Sequence, residues 1–268
     1  MSALEAGTLR RALTRWLVVH RAGKASTTRR FYWQNIKQIR RAWRSILERR
    51  TDEVSADDVA RFVLSCDHYC PSRWNAMLTI LHSIVPASRV LKRRPLKLTR
   101  PPPPTQQEFA RLVEEAEGLA RSHAAEVIEF LAHSGLRITA AKNVRWSDVH
   151  ENRIEYAGKG GKICSVPIIN GMREVLERLK KLDDGSGHVL PRGTIKRGLA
   201  VACARAGVRH LNHHDFRHMF ITRSIESGVD IPTIARWVGH GDGGALLSKR
   251  YFHLLDGHSQ AMAARVKI

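Results

Sequence analysis

No apolar run in this 268-residue chain approaches the roughly 20 residues that cross a membrane. The opening stretch, Met1 to Gly7, lacks the charged-then-apolar pattern of a secretory signal, and Leu17-Val18-Val19 is too short to serve as one. Cysteine is scarce. Cys66, Cys70, Cys164 and Cys203 have no paired-motif spacing, and Cys66-x-x-x-Cys70 around His68 is neither the usual zinc pattern nor the usual redox pattern. Reduced thiols in a cytosolic protein are the default for such a chain. There is no internal repeat, and no low-complexity tract beyond four consecutive prolines. Acidic residues are few: 25 Asp and Glu face 45 Lys and Arg, a net charge of +20. That excess points to a polyanionic partner, against the plainer reading of a basic protein kept soluble by its charge.

The charge is unevenly placed. Residues 1–104 hold 21 basic and 7 acidic side chains, net +14, and the remaining residues hold 24 and 18. The first part therefore reads as the grip on the polyanion and the second as something more specialised. The boundary is a basic, proline-rich linker over residues 92–104, with Arg93, Arg94, Lys97 and Arg100 before Pro101 to Pro104. Consecutive prolines remove backbone donors and favour an extended chain, so no helix or central strand crosses this segment.

Residues 1–91 read as a small helical bundle. Apolar spacing predicts helices over Thr8–Val19, Thr27–Leu47 and Trp74–Val85, and Ser55-Ala56-Asp57-Asp58 opens another with a cap. Most of its aromatics are expected in the core, and its arginines are the better phosphate contacts. Residues 105–268 switch between periods. Thr105-Gln106-Gln107-Glu108 is a capping box for a helix through Ala120, and Ala124–Ser134 is a second helix that Gly135 ends. Arg153–Ile168 alternates as a β-hairpin around Gly158-Lys159-Gly160-Gly161-Lys162. Helices follow over Met172–Leu182, Thr194–Ala206, Phe216–Ser227, Pro232–Val238 and Ser259–Val266. The fold class is mainly α with one small β-hairpin, α+β in the second domain.

A set of chemically capable residues lies in that second domain: Gly135-Leu136-Arg137, Lys159, His214-Asp215-Phe216-Arg217-His218, Trp237-Val238-Gly239-His240 and Tyr251. Displacement at a phosphodiester without a metal needs a nucleophile, cationic donors on the non-bridging oxygens and an acid for the leaving oxygen. The arginine fork suits the phosphate oxygens and stays charged. Histidine and lysine suit proton transfer, and a tyrosine phenol can attack.

In order and spacing these residues resemble the tyrosine recombinase (phage integrase) family, over essentially the whole chain. The resemblance implies a two-domain C-clamp on double-stranded DNA, with residues 1–91 as the core-binding domain and 105–268 as the catalytic domain. By the same resemblance, Arg137 and Arg217 clamp the scissile phosphate and Lys159 protonates the leaving 5′-hydroxyl. His214 assists proton transfer, His240 orients the phosphate and Tyr251 attacks to leave a 3′-phosphotyrosyl link. His218 reads as a structural helix residue. The family works without ATP, metal or other cofactor, as a tetramer on paired inverted-repeat core sites through a Holliday junction. The resemblance also implies a bacterial or phage-encoded cytoplasmic protein at the nucleoid. The chain begins close to the bundle, which reads as a simple, Xer-like recombinase without an arm-binding domain. The segment Leu254 to Ile268 would dock on a neighbouring subunit in a cyclic assembly, against the plainer reading that it packs in cis.

Some positions depart from the family's pattern. An acidic residue commonly stands three positions after the first arginine, where this chain has Ala140. Its absence would hold Arg137 less rigidly. Gly241-Asp242-Gly243-Gly244 lengthens the approach to Tyr251 and reads as a mobile loop. Lys162 competes with Lys159 for the acid role. Three other readings are weaker. His210, His213, His214 and His218 lack a completing metal-ligand pattern and sit beside Arg209 and Arg217. The Lys159–Lys162 turn lacks the Gly-Lys-Ser/Thr ending of a nucleotide loop. A type IB topoisomerase-like nicking and closing enzyme, or a catalytically impaired DNA-binding relative, stays open as an alternative function.

Overall fold

Thr8 opens the first helix by accepting the Arg11 N–H on its side chain, and α1 runs Leu9–Arg21. This computed structural model describes residues 7–96, 101–119, 123–241 and 243–251. The chain divides into two compact units, Met1–Leu98 and Thr99–Ile268. Of Lys159, Leu246 and Arg250 only the backbone is described.

The first unit packs α1 with α2 (Ser26–Ala42), α3 (Ala56–Cys66) and α4 (Pro71–Ile84). Its core holds Leu13, Ile36, Trp43, Phe62, Met77 and Leu81. Helix α2 stops short of the Leu47 that apolar spacing suggests. Trp43 leaves helical geometry (φ −108°, ψ 33°) and buries its indole, donating Nε1–H to the Asp58 carbonyl at 2.8 Å. Of the aromatics, Trp16, Trp43, Phe62 and Trp74 are core, whereas Phe31 and Trp33 stand out in solvent on α2, with Lys37 over the Trp33 ring.

Asp58 anchors this unit. Its carboxylate is buried (1 % exposed), accepts Ser55 N–H and Ser55 Oγ–H at 2.9 Å each, and pairs with Arg61 at 2.6 Å and Arg49 at 3.2 Å. Burial alone would raise its pKa. The Ser55 backbone bond, Arg61, the Ser55 hydroxyl and Arg49 together outweigh burial and pull it down to about 2.

The described residues of the second unit are mainly helical, with one hairpin. Helices α5 (Gln106–Glu117), α6 (Ala124–Ser134) and α7 (Ile138–Ala141) come first. Strands β1 (Arg153–Ala157) and β2 (Ile163–Pro167) then pair antiparallel, from Arg153 opposite Pro167 to Ala157 opposite Ile163. Helices α8 (Met172–Lys181), α9 (Lys196–Arg205), α10 (His213–Glu226), α11 (Ile231–Trp237) and α12 (Ala245–Tyr251) complete the described residues. Helix α6 is the hub, with α5, α8 and α10 packed on it, and α11 lies against β2. The expected helix over 259–266 and part of the linker, residues 97–100, lie outside the described residues.

Helix α10 starts three residues before its apolar pattern does. Asn212 caps it, accepting the His214 N–H at 2.9 Å, and Asp215 completes the box by accepting the Asn212 N–H at 2.8 Å. Arg209 ties Asp215 (3.0 Å) to the Pro102 carbonyl (3.1 Å), so the proline run is fastened to the start of this helix. Helices α7 and α12 are both absent from the sequence-based expectation. Four and seven residues are too short for helical periodicity to register.

Because the Asp58 pKa is depressed, its contribution is present above about pH 4 and is lost as pH falls towards 2. Asp58→Asn is expected to cost the first unit about 2 kcal/mol at pH 7. Denaturant unfolding of the intact chain, followed by tryptophan fluorescence between pH 7 and pH 3, checks both statements. The variant should also show a flatter loss of stability on acidification.

Candidate active site

Three segments distant in sequence meet at the ends of α6 and α11. Gly135 ends α6 in the left-handed region (φ 61°), and a Cβ there would come within 2.4 Å of the Phe220 ring. Its carbonyl therefore emerges close to α10, where it accepts Nη1–H of Arg217 at 2.8 Å. Helix α11 ends in a Schellman turn. The His240 N–H reaches back to the Ala235 carbonyl (2.8 Å), and the Gly239 N–H to that of Arg236 (3.1 Å), with Gly239 at φ 64°. This turn exposes three successive carbonyls, and each accepts from a side chain of another element. Tyr156 Oη–H on β1 donates to Trp237 (2.7 Å), Arg217 Nη2–H to Val238 (2.6 Å), and Arg137 Nη1–H to both Val238 and Gly239 (3.4 Å each).

The two guanidinium groups thus share one carbonyl, and their described partners are all backbone oxygens. Arg217 is only 6 % exposed. Burial and then the nearby charge of Arg137 push its pKa down to about 10, still high enough to keep it cationic at neutral pH. Tyr156 moves the other way, its pKa raised first by burial and then by Cys164, so it remains a neutral donor. Arg137 is held more loosely than Arg217, by contacts of 3.4 Å against 2.6 and 2.8 Å. Ala140, where an acid could have braced it, packs partly buried against the core instead.

Arg137 and His240 line an open cavity of about 940 Å³ with Lys162, Cys164, Ser165 and Arg236. Its lining combines the basic side chains Arg137, Lys162 and Arg236 with Trp237, Gly239 and His240 of the α11 turn. Lys159 lies in the one-turn 3-10 segment between the strands, and Lys162 follows it. His214 is exposed in the first turn of α10. Tyr251, the last described residue, is buried at 2 % exposure, and its oxygen contributes to the electrostatic surroundings of Arg217. Its hydroxyl lies 2.5 Å from Nδ1 of His218, with ring centroids 5.1 Å apart.

Arg137, Arg217, His240 and Tyr251 are therefore grouped around one turn. His218, read from sequence as a helix residue, belongs with them. Its adjacency to Arg217 was a visible signal, but its partner lies 33 residues away on α12, an element with no clear sequence signature. Among the described residues, no three His, Cys, Asp or Glu side chains converge as a metal set.

A mostly helical unit with one hairpin and this grouping of residues has the fold of an integrase catalytic domain. The chain resembles the lambda integrase tetramer bound to a Holliday junction (TM-score 0.75, 16 % identity, 92 % of this chain and 78 % of that one). It also resembles the Tn1549 transposon integrase in complex with circular intermediate DNA (TM-score 0.68, 14 % identity, 96 % and 99 %). The phage integrase family model matches residues 105–258, and the chain belongs to that family. Among its relatives are tyrosine recombinase XerC of Pseudomonas aeruginosa, 29 % identical over 130 residues (43 % of each chain), and tyrosine recombinase XerD of Lacticaseibacillus casei, 29 % identical over 154 residues (51 % of this chain, 52 % of that one). The chain thus matches about half the length of these relatives. No described helix is long and apolar enough to cross a membrane.

If the α11 turn is the keystone, its two supports should be separable. Tyr156→Phe removes one hydrogen bond from the Trp237 carbonyl and is expected to cost about 1 kcal/mol in denaturant unfolding. Gly239→Ala should cost more. Its Cβ would sit 2.9 Å from the Tyr156 hydroxyl, at a positive φ that alanine resists. A Gly239→Ala protein as stable as Tyr156→Phe would contradict this reading of the turn.

Proposed function

We propose that the chain is a site-specific DNA recombinase that cleaves and rejoins strands through a 3′-phosphotyrosyl intermediate. The observation that carries this reading is the pair of guanidinium groups on one carbonyl, Arg137 and Arg217 on Val238, beside a buried tyrosine. Two like charges held together by neutral partners make a site suited to an anion. A phosphodiester supplies that charge and presents two non-bridging oxygens to the two forks.

In this scheme Arg137 and Arg217 hold the phosphate and offset the charge that grows on it in the transition state. His240, fixed by the Schellman turn, donates to the same group from the cavity side. Tyr251 forms the new bond to phosphorus, and the 5′-oxygen leaves with a proton from Lys159, with Lys162 as the competing donor. His214 assists proton movement from the first turn of α10. The phosphotyrosyl ester conserves the bond energy for rejoining, so no nucleotide, metal or other cofactor is needed.

The basic core-binding domain, residues 1–91, would grip the duplex through phosphates, joined by the 92–104 linker to the catalytic domain, residues 105–268. Binding would weaken steeply with salt. The substrate would be paired inverted-repeat core sites, bound by a tetramer. That assembly follows lambda integrase, whose structure is a tetramer bound to a Holliday junction. The site of action would be the cytoplasm, at the nucleoid.

A pool of nicked duplexes with randomised sequence around the nick tests this directly. The nick lets the short leaving strand diffuse away and traps the covalent state. Wild-type protein should enrich particular duplexes as complexes that survive denaturant. Tyr251→Phe should give none, and Arg217→Ala should lose at least about 100-fold. Absence of any wild-type adduct across the pool would overturn the proposal.

A further inference from the structure

We propose that His218 is the proton acceptor for Tyr251 in cleavage, and the donor that returns the proton in rejoining. This inference rests on the recombinase reading above and assigns a residue that the reading leaves without a task. The Tyr251 hydroxyl lies 2.5 Å from His218 Nδ1, in direct hydrogen-bond contact. The tyrosine is 2 % exposed, so bulk water does not freely reach its oxygen, and the proton needs a local acceptor. With the ring hydrogen on Nε2, Nδ1 is the acceptor and the phenol donates to it.

The surroundings favour this direction of transfer. Arg217 precedes His218 on α10, and its positive charge and the Tyr251 oxygen act on each other. A phenolate forming there would be stabilised by the same guanidinium that meets the phosphate. His214, the other histidine of this motif, sits four residues earlier and is exposed in the capped first turn. The two histidines thus differ in setting, with His218 on the nucleophile and His214 exposed one turn earlier on the same helix.

The step balances without any further reagent. The Tyr251 oxygen bonds to phosphorus as its proton passes to Nδ1 of His218. The bond from phosphorus to the 5′-oxygen breaks, and that oxygen takes a proton from the lysine of the hairpin turn. In rejoining, a 5′-hydroxyl attacks phosphorus as its proton returns to the now neutral lysine, and His218 gives its proton to the departing Tyr251 oxygen.

The test compares two versions of a duplex recovered from the randomised pool, one with the natural 5′-oxygen at the scissile bond and one with sulfur there. A thiolate leaves without needing an acid, so the sulfur duplex erases acid defects and keeps base defects. His218→Ala should form adduct about 100-fold more slowly than wild type on both duplexes. Lys159→Ala, by contrast, should be slow only on the oxygen duplex. His218→Asn keeps a side-chain oxygen that can accept from Tyr251 but cannot take its proton. It should be folded, by an unchanged thermal transition, and equally slow. Wild-type rates for His218→Asn would make residue 218 a mere holder of the tyrosine and overturn the proposal. So would recovery of His218→Ala on the sulfur duplex. If the pool yielded no wild-type adduct and hence no duplex to compare, the recombinase reading would fall first and this inference with it.

Discussion

Three successive backbone carbonyls, those of Trp237, Val238 and Gly239, organise the site. A helix end normally leaves its last carbonyls to water or to a capping side chain. Here the Schellman turn satisfies part of α11's end with its own N–H groups and offers the rest to Tyr156, Arg217 and Arg137. That choice of partner has electrical consequences. A carboxylate would have neutralised the arginines, whereas a carbonyl orients them and leaves their charge available. Burying Arg217 among neutral oxygens is unfavourable without an anion, and its lowered pKa of about 10 registers that. The structure accepts that penalty where a phosphate would relieve it.

Much of this was legible in the chain because the signals are local. The capping boxes at Ser55 and Thr105 are written in adjacent residues, and both form. Gly135 ends α6 as its position suggests, and the hairpin turns at its glycines. The elements that escaped notice are those whose signal is short or distant. The α10 cap is an Asn-x-x-Asp pattern ahead of the first apolar residue, so the apolar rhythm alone starts the helix too late. The stretch before Tyr251 reads as a glycine loop, yet Ala245–Tyr251 is helical and buries the tyrosine. Once Tyr251 is on a helix, its contact with His218 becomes possible, and local spacing cannot reveal a pairing across 33 residues.

The same difference separates the two arginines. Arg217 rises from the second turn of a capped helix and is fixed by bonds of 2.6 and 2.8 Å. Arg137 sits just outside α7, with longer contacts of 3.4 Å and Ala140 in place of a bracing acid. If both hold one phosphate as proposed, a tight and a loose clamp would give a site that is partly built before the ligand arrives and finished by it. The relatives matched by sequence align over about half their length, and the solved integrases share the fold over most of this chain at low identity. These side chains therefore carry the proposed chemistry, and the carbonyl turn is where the two arginines meet.

The central claim is that the turn serves a phosphotyrosyl transfer at Tyr251. Trapped protein–DNA adduct, digested with nuclease and trypsin and analysed by tandem mass spectrometry, tests it at the level of a single bond. The account predicts a nucleotide joined through its 3′-phosphate to the peptide beginning at Tyr251, on the tyrosine itself. Attachment at another residue, or through a 5′-phosphate, would contradict it.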